Sequence, residues 1–401
     1  MINPSAHGWI SKFFFEQDSQ EQFILYNSES FYVATRETGF LVGYATHFVT
    51  SKPVETKGWT TEEFSKIALL NSLFGIYQIV TKDNNSEEFI KKSVAFYQEL
   101  HPKNSGLLDI FLPTDSAENK LEKIIANRIK TNDNIISKNF SHILTNALLF
   151  IDVLAFKRYI EEGSLPKKYL KKIEEIIVSV VSIALNTKET KSNYDDLLQK
   201  LFESSVRYSK FEKSAKETSL DNIDFSYLED DYERYYLIDI ANMALWNDGV
   251  IEKSERSFLF ELAKHLNVSN DFVKKSINDM NVFLTENKSS IHYFNYSNPV
   301  KHFYDQTTSN VQTLVQRNKT RLLIEISQSK ELVTLLRKSA SEKLTLEEKK
   351  KVRNQILDIC KTIPSLTIFL VPGGSLLLPI LIKFIPQLLP SAFNENLDKN
   401  M

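Results

Sequence analysis

The stretch that most limits how this chain can fold is Thr362 to Ile382, 21 residues without a charge, broken near the middle by Pro372-Gly373-Gly374. About 20 apolar residues cross a hydrocarbon core of roughly 30 Å, so length alone permits a span. Proline inside a helix removes an i to i−4 hydrogen bond and clashes with the preceding turn, at roughly 3 kcal/mol. A straight span is therefore not expected. Pro372, Pro379 and Pro386 are seven apart, so on a helix they fall along nearly one face and free the carbonyls of Ile368, Ser375 and Ile382. In lipid those carbonyls need partners, which predicts a kinked or re-entrant element packed on its proline face against neighbouring helices, water or another subunit. Buried polar backbone of this kind also lines ion paths.

Immediately before this stretch, Thr345 and Glu348 form a T-x-x-E capping box, which predicts a helix starting near Leu346. Val352, Ile356 and Ile359 share one face of it, and Lys349, Lys350, Lys351, Arg353 and Lys361 bring positive charge up to the apolar run. From 319 to 361, eleven basic residues stand against six acidic, a local excess of five in a chain whose net charge is −2. That excess reads either as a solvated helix face or as a membrane-flanking segment. In the second case the positive-inside bias keeps the bulk of the chain in the cytoplasm.

The order of a basic helix, Thr362 to Ser365 (T-I-P-S), Ile368 to Pro372 (I-F-L-V-P), Leu376 to Pro379 (L-L-L-P), Phe384 to Pro386 (F-I-P) and Leu388 to Phe393 (L-L-P-S-A-F) resembles the membrane segment of the LETM family. These are the leucine-zipper and EF-hand-containing transmembrane proteins of mitochondria and their bacterial relatives, some of which carry a biofilm-associated label. The resemblance covers about the last fifty residues. It implies a hydrophobic segment from 362 to 393, with Pro364, Pro372, Gly373, Gly374, Ser375, Pro379, Pro386 and Pro390 as its shaping residues. It also implies a bacterial cytoplasmic membrane location, with a plain cytoplasmic one as the alternative, and a role in cation homeostasis or ribosome docking. Two departures bear on that role. Where the family has a phenylalanine and an acid after the second proline, this chain has Gly373, Gly374 and Ser375. The family's ribosome-binding region follows the L-P-S-x-F motif, and since eight residues follow Phe393 here it is expected to be missing.

The remainder reads as all-α: a multi-helix N-terminal region (1–215), a second helical domain (225–290), and a C-terminal region (305–401) made of the basic helix 345–361 and the hydrophobic segment. Thr60 and Glu63 form another capping box, ahead of a broad apolar face from Phe64 to Ile79. Further helices are expected at about 86–101, 117–130, 135–161, 167–185 and 194–213, and a long one at about 311–337. Residues 22–49 are rich in Phe, Tyr and Val and read as helix, with strand as the alternative, and 211–227 as a linker. Outside 362–393 no stretch reads as apolar enough to span; 146–156 is short, carries Asp152, and reads as a buried core helix.

Between Tyr232 and Leu284, Leu237, Ile240, Ala241, Ala244 and Leu245 precede Asn247-Asp248-Gly249, and Phe258, Leu259, Leu262 and Leu266 follow it, which predicts a helical hairpin. Asp248 and Glu255 look like the end of an EF-hand loop, but Ala244 and Trp246 occupy the positions of its first two ligands. The pattern instead resembles the TerB-like helical domains. That resemblance makes Asp248 and Glu255 candidate cation ligands, with Asp239 nearby; the alternative is that Gly249 ends one helix and Glu255 favours the positive start of the next.

The single cysteine, Cys360, fits a reducing compartment and reads as a small apolar residue, and no secretory leader is evident. No nucleophile, phosphate-loop or zinc-protease motif is present, and the seven histidines show no ligand spacing. The chain is therefore expected to be non-enzymatic and to need no cofactor. A membrane is the expected partner, with a ribosome or a second copy of the chain as further ones and DNA excluded by the overall charge. Exchange of ions would require oligomers. The competing expectation is a soluble interaction module whose proline-rich tail packs into its own core or a partner's groove.

Overall fold

The computed structural model describes residues 2–17, 27–100, 115–129, 148–166, 168–187, 217–246, 251–287, 299–342, 344–370 and 378–385, and among them every regular element is helical. The helices are α1 (Trp9–Gln17), α2 (Ser28–Glu37), α3 (Thr61–Thr81), α4 (Ser86–Leu100), α5 (Ala117–Ile129), α6 (Phe150–Glu162), α7 (Tyr169–Thr187), α8 (Asp231–Leu245), α9 (Lys253–His265) and α10 (Asn270–Asn287). They are followed by α11 (Pro299–Arg317), α12 (Lys319–Gln328), α13 (Lys330–Ser341), α14 (Leu346–Thr362) and α15 (Leu378–Phe384).

These elements build two apolar cores. The larger runs from Ile2 to Leu284 and centres on α3, which packs on α5 and α6, while α8 packs on α7, α9 and α10. The smaller runs from Val311 to Ile385 and belongs to α11–α15. By length and composition α3 is the one described helix able to cross a membrane, an exception to the expectation for residues outside 362–393. Its apolar window is 83% buried in the larger core, so its hydrophobicity is that of a helix covered on nearly every side.

Local chemistry sets the helix ends. Thr60 accepts from the Glu63 N–H while the Glu63 carboxylate accepts from the Thr60 N–H at 2.9 Å, and Thr345 and Glu348 repeat the arrangement at α14. Both are the boxes legible in the sequence. Asp152, expected in a buried helix, lies on α6 at 1% exposure and accepts from Tyr97 at 3.0 Å and from both Arg128 donors. A carboxylate buried so deeply persists because a guanidinium and a hydroxyl between them give it three donors and an opposite charge.

The long helix expected at 311–337 is instead three. At the first break the Asn318 N–H keeps its bond to the Leu314 carbonyl at 3.1 Å and the side-chain amide adds a second to the same carbonyl at 2.7 Å; at the second, Ser329 accepts from the Leu332 N–H at 3.2 Å as an N-cap, in place of a backbone carbonyl. The expected linker contains two 3₁₀ turns, Leu220–Asn222 and Phe225–Tyr227, and Leu220 and Leu228 are buried in the larger core. The helix expected at 194–213 and the turn at 247–249 lie outside the described residues.

Candidate functional site

The C-terminal module places the residues singled out by the sequence. Helix α14 buries Val352, Ile356, Ile359 and Cys360 against α12, α13 and α15. It ends where Ile363 turns to extended backbone (φ −114°, ψ 107°), as the residue before a proline does, and Pro364 opens a 3₁₀ turn running to Phe369. That turn folds back along α14, and α15 then packs on α11. Ile363, Leu366, Phe369, Leu378, Leu381 and Ile385 are each at most 1% exposed within this core. The described part of the hydrophobic segment is therefore two short elements turned inward, and a single kinked helix does not run through it. Pro379 is exposed in the first turn of α15, where no intrahelical N–H bond is required, so it does not kink a helix. Pro372, Gly373, Gly374, Ser375, Pro386 and Pro390 lie outside the described residues.

The basic residues of α14 point outward but differ in partners. Lys351 donates to Glu331 at 2.8 Å, Lys361 to Asp358 at 2.7 Å, and Glu348 accepts from Lys338 at 2.7 Å. Such exposed pairs are screened by water, weaken with salt and add little to stability. Lys349, Lys350 and Arg353 are exposed and make no ion pair among the described residues. Cys360 has no exposed surface, and burial pushes its thiol up to about 12, which keeps it protonated and inert in the closed module.

Sequence reasoning missed the clamp between the two cores. Arg317, at the end of α11, grips the fully buried Glu63 carboxylate with two bonds of 2.8 and 2.9 Å and also donates to the Gly58 carbonyl at 3.3 Å. Ser5 donates to the same carboxylate at 2.6 Å. Burial alone would raise the Glu63 carboxyl, but the bonds from Arg317, Ser5 and the Thr60 N–H win and hold it below the usual carboxylate range. The residues are 254 apart in sequence, so nothing local signals the pairing; the only sign is that an acid already used as a helix cap must lie near the surface of its own helix start.

Of the candidate cation ligands, Glu255 and Asp239 lie among the described residues. Asp248 lies outside the described residues, and Glu255 is 3% exposed in the first turn of α9, where it accepts from the Glu252 N–H at 2.8 Å, the place at a helix start that the alternative gives it. Asp239 accepts from Tyr32 at 2.7 Å, from Arg36 at 3.3 Å and from Ser276, which ties α8 to α2 and α10. Among the described residues no group of three or more His, Cys, Asp or Glu is placed to hold a metal ion.

Residues 344–401, about a seventh of the chain, match a family model described as "LETM1-like, RBD". The match supports the LETM resemblance for that segment, and the description attaches to residues that are present, whereas the sequence reading put the family's ribosome-binding part beyond Phe393. No curated protein and no solved structure matches the chain.

Proposed function

We propose that this is a LETM-like, non-enzymatic protein that works at a membrane surface and docks a large partner there, a ribosome above all, through the module from Val311 to Ile385. One observation carries the reading: in the described part of the segment that matches the family model, most apolar residues face the module's core and Lys349 and Lys350, unpaired among the described residues, face outward. That is the geometry of a docking module, since an ion path would need polar groups facing inward. Docking is therefore preferred to cation transport. The hairpin of α8 and α9 is read as TerB-like and as a packing unit, because Glu255 already caps α9 and Asp239 is saturated by Tyr32, Arg36 and Ser276. The location is read as the bacterial cytoplasmic membrane from the LETM resemblance, and the bulk of the chain is placed inside from the cationic excess flanking the hydrophobic segment.

Burial of the apolar segment in its own core favours a second reading, a soluble interaction module. Membrane fractionation of the full chain separates the two. Release by high salt supports surface docking, resistance to alkaline carbonate supports insertion by 362–393, and a wholly soluble chain leaves only the second reading. Ribosome co-sedimentation that survives deletion of 344–401 refutes C-terminal docking.

A further inference from the structure

The first two turns of α14 carry a feature that ribosome docking does not require. Leu346, Lys349, Lys350 and Arg353 are spaced i, i+3, i+4, i+7, so they share one side of the helix. All four are exposed, and Leu346 is 85% exposed, an aliphatic side chain held in water at the rim of the cationic group. The helix advances about 100° per residue, which carries Glu347, Glu348 and Asp358 off this side. Glu348 is moreover held by Lys338 and Asp358 by Lys361, so neither acid is left to neutralise it. Further along, the same side closes over the buried Ile356 and Cys360, which confines the exposed patch to the start of the helix. Ile324 and Leu370, at 55% and 38% exposure, are other bare apolar side chains of this module.

We infer that this side of α14 is a peripheral docking surface for an anionic phospholipid bilayer, with Lys349, Lys350 and Arg353 meeting headgroup phosphates and Leu346 entering the interface. This rests on the membrane-surface reading above and specifies how that surface is engaged without unfolding the module. The choice of lipid follows from the pairing of charge with an exposed leucine. Cations alone suit any polyphosphate, but a lipid interface also takes up aliphatic carbon, whereas nucleic acid favours aromatic or guanidinium stacking on bases. The patch has no aromatic residue and one guanidinium, Arg353, beside two ammonium groups and the exposed leucine.

The test is vesicle flotation of the full chain at 0.1 M salt, with phosphatidylcholine vesicles containing or lacking about a third phosphatidylglycerol, and with purified ribosomes as a parallel arm. The wild type is expected to float with the anionic vesicles only. Each cation near such a surface contributes about fivefold in affinity, so Lys349→Gln, Lys350→Gln and Arg353→Gln together should lower binding on the order of a hundredfold. Leu346→Gln alone should lower it severalfold at unchanged charge, and Lys349→Arg with Lys350→Arg should retain it. All sites are exposed, so thermal unfolding should be unchanged in every variant, which separates lost docking from lost folding. Flotation of the triple variant equal to wild type overturns the inference while leaving the membrane reading standing, since insertion by 362–393 would then carry it. Ribosome binding that depends on the three cations, with no flotation of the wild type, also overturns it and assigns the patch to RNA. Failure to float combined with a wholly soluble chain in cell fractionation removes the membrane reading itself.

Discussion

Leu381→Ala tests whether the hydrophobic segment belongs to the module's interior. Leu381 sits on α15 with no exposed surface, in the same buried cluster as Ile356 and Cys360. Truncating a fully buried leucine costs about 2–5 kcal/mol, from lost transfer energy plus the cavity left behind. Cys360 reports the loss directly because it is the only cysteine in the chain, buried in this core, with its thiol pushed up to about 12. A maleimide can react only through open states, in which the thiol returns to about 8.5, so the labelling rate follows the opening equilibrium. At 1.4 kcal/mol per tenfold, the variant should label roughly thirty to several thousand times faster at pH 8, up to the point where the module is open outright. Leu69→Ala, in the larger core, is the control and should change Cys360 labelling far less. Equal labelling rates for wild type and Leu381→Ala would refute the reasoning, because they mean that α15 does not cover this core in solution.

Arg317→Ala leaves the buried Glu63 carboxylate without its bidentate partner. Such removals cost about 3–5 kcal/mol for fully buried pairs, and Arg317 keeps some solvent contact, so about 2–3 kcal/mol is expected in urea unfolding followed by tryptophan fluorescence. Because Glu63 is held below its usual range when folded, its share of stability is complete above about pH 4.3 and is lost as pH falls through the lower folded value. Glu63→Gln should accordingly flatten the acid limb of a stability curve measured from pH 7 to 3. Gly39 has φ +80°, and an added Cβ would lie 2.1 Å from both the Tyr44 carbonyl oxygen and the Phe283 ring; Gly39→Ala should cost more than the ~1–2 kcal/mol of the left-handed conformation alone, read as a fall in melting temperature. Glu255→Ala should cost about 1 kcal/mol, as the loss of a cap does, and equally in millimolar calcium or in EDTA. A calcium-dependent difference in melting temperature would restore the cation-site reading.

What the sequence made legible was local. Capping boxes at Thr60/Glu63 and Thr345/Glu348, helix starts at Ser86 and Ala117, and the buried helix holding Asp152 all follow from interactions within a few residues, which the order of side chains specifies directly. The breaks at Asn318 and Ser329 were not legible, because apolar periodicity runs on through both, and whether the helix turns there depends on partners elsewhere. Ser365 donates to Asn318 at 3.0 Å and Ser329 to Gln355 at 2.7 Å, both across the module. The clamp of Arg317 on Glu63, and the binding of Asp239 by Tyr32 and Arg36, join residues more than two hundred apart. For the hydrophobic segment, composition and length alone do not distinguish lipid from a protein interior, since both accept the same side chains.

That ambiguity has an energetic consequence. Moving Ile363, Leu366, Phe369, Leu378, Leu381 and Ile385 from this core into a bilayer is nearly neutral for those side chains, which stay out of water in both places. The cost falls on what they leave. Val311, Leu314, Val315, Val352, Ile356 and Ile359, all under 9% exposed, form the faces of α11 and α14 in the same core, and they would meet solvent. At about 1.5–3 kcal/mol for each fully buried aliphatic side chain, complete exposure of all six sets a ceiling of about 9–18 kcal/mol, and although α12 and α13 still cover part of α14, even half of that is comparable with the whole stability of an ordinary domain. Withdrawal of the segment from a lone, surface-exposed module is therefore unfavourable. An inserted form must cover those faces again, either with the same faces of a second copy or by sinking α14 into the interface with its apolar side down. Docking through Leu346, Lys349, Lys350 and Arg353 carries no such requirement, because it uses only side chains that are already outside.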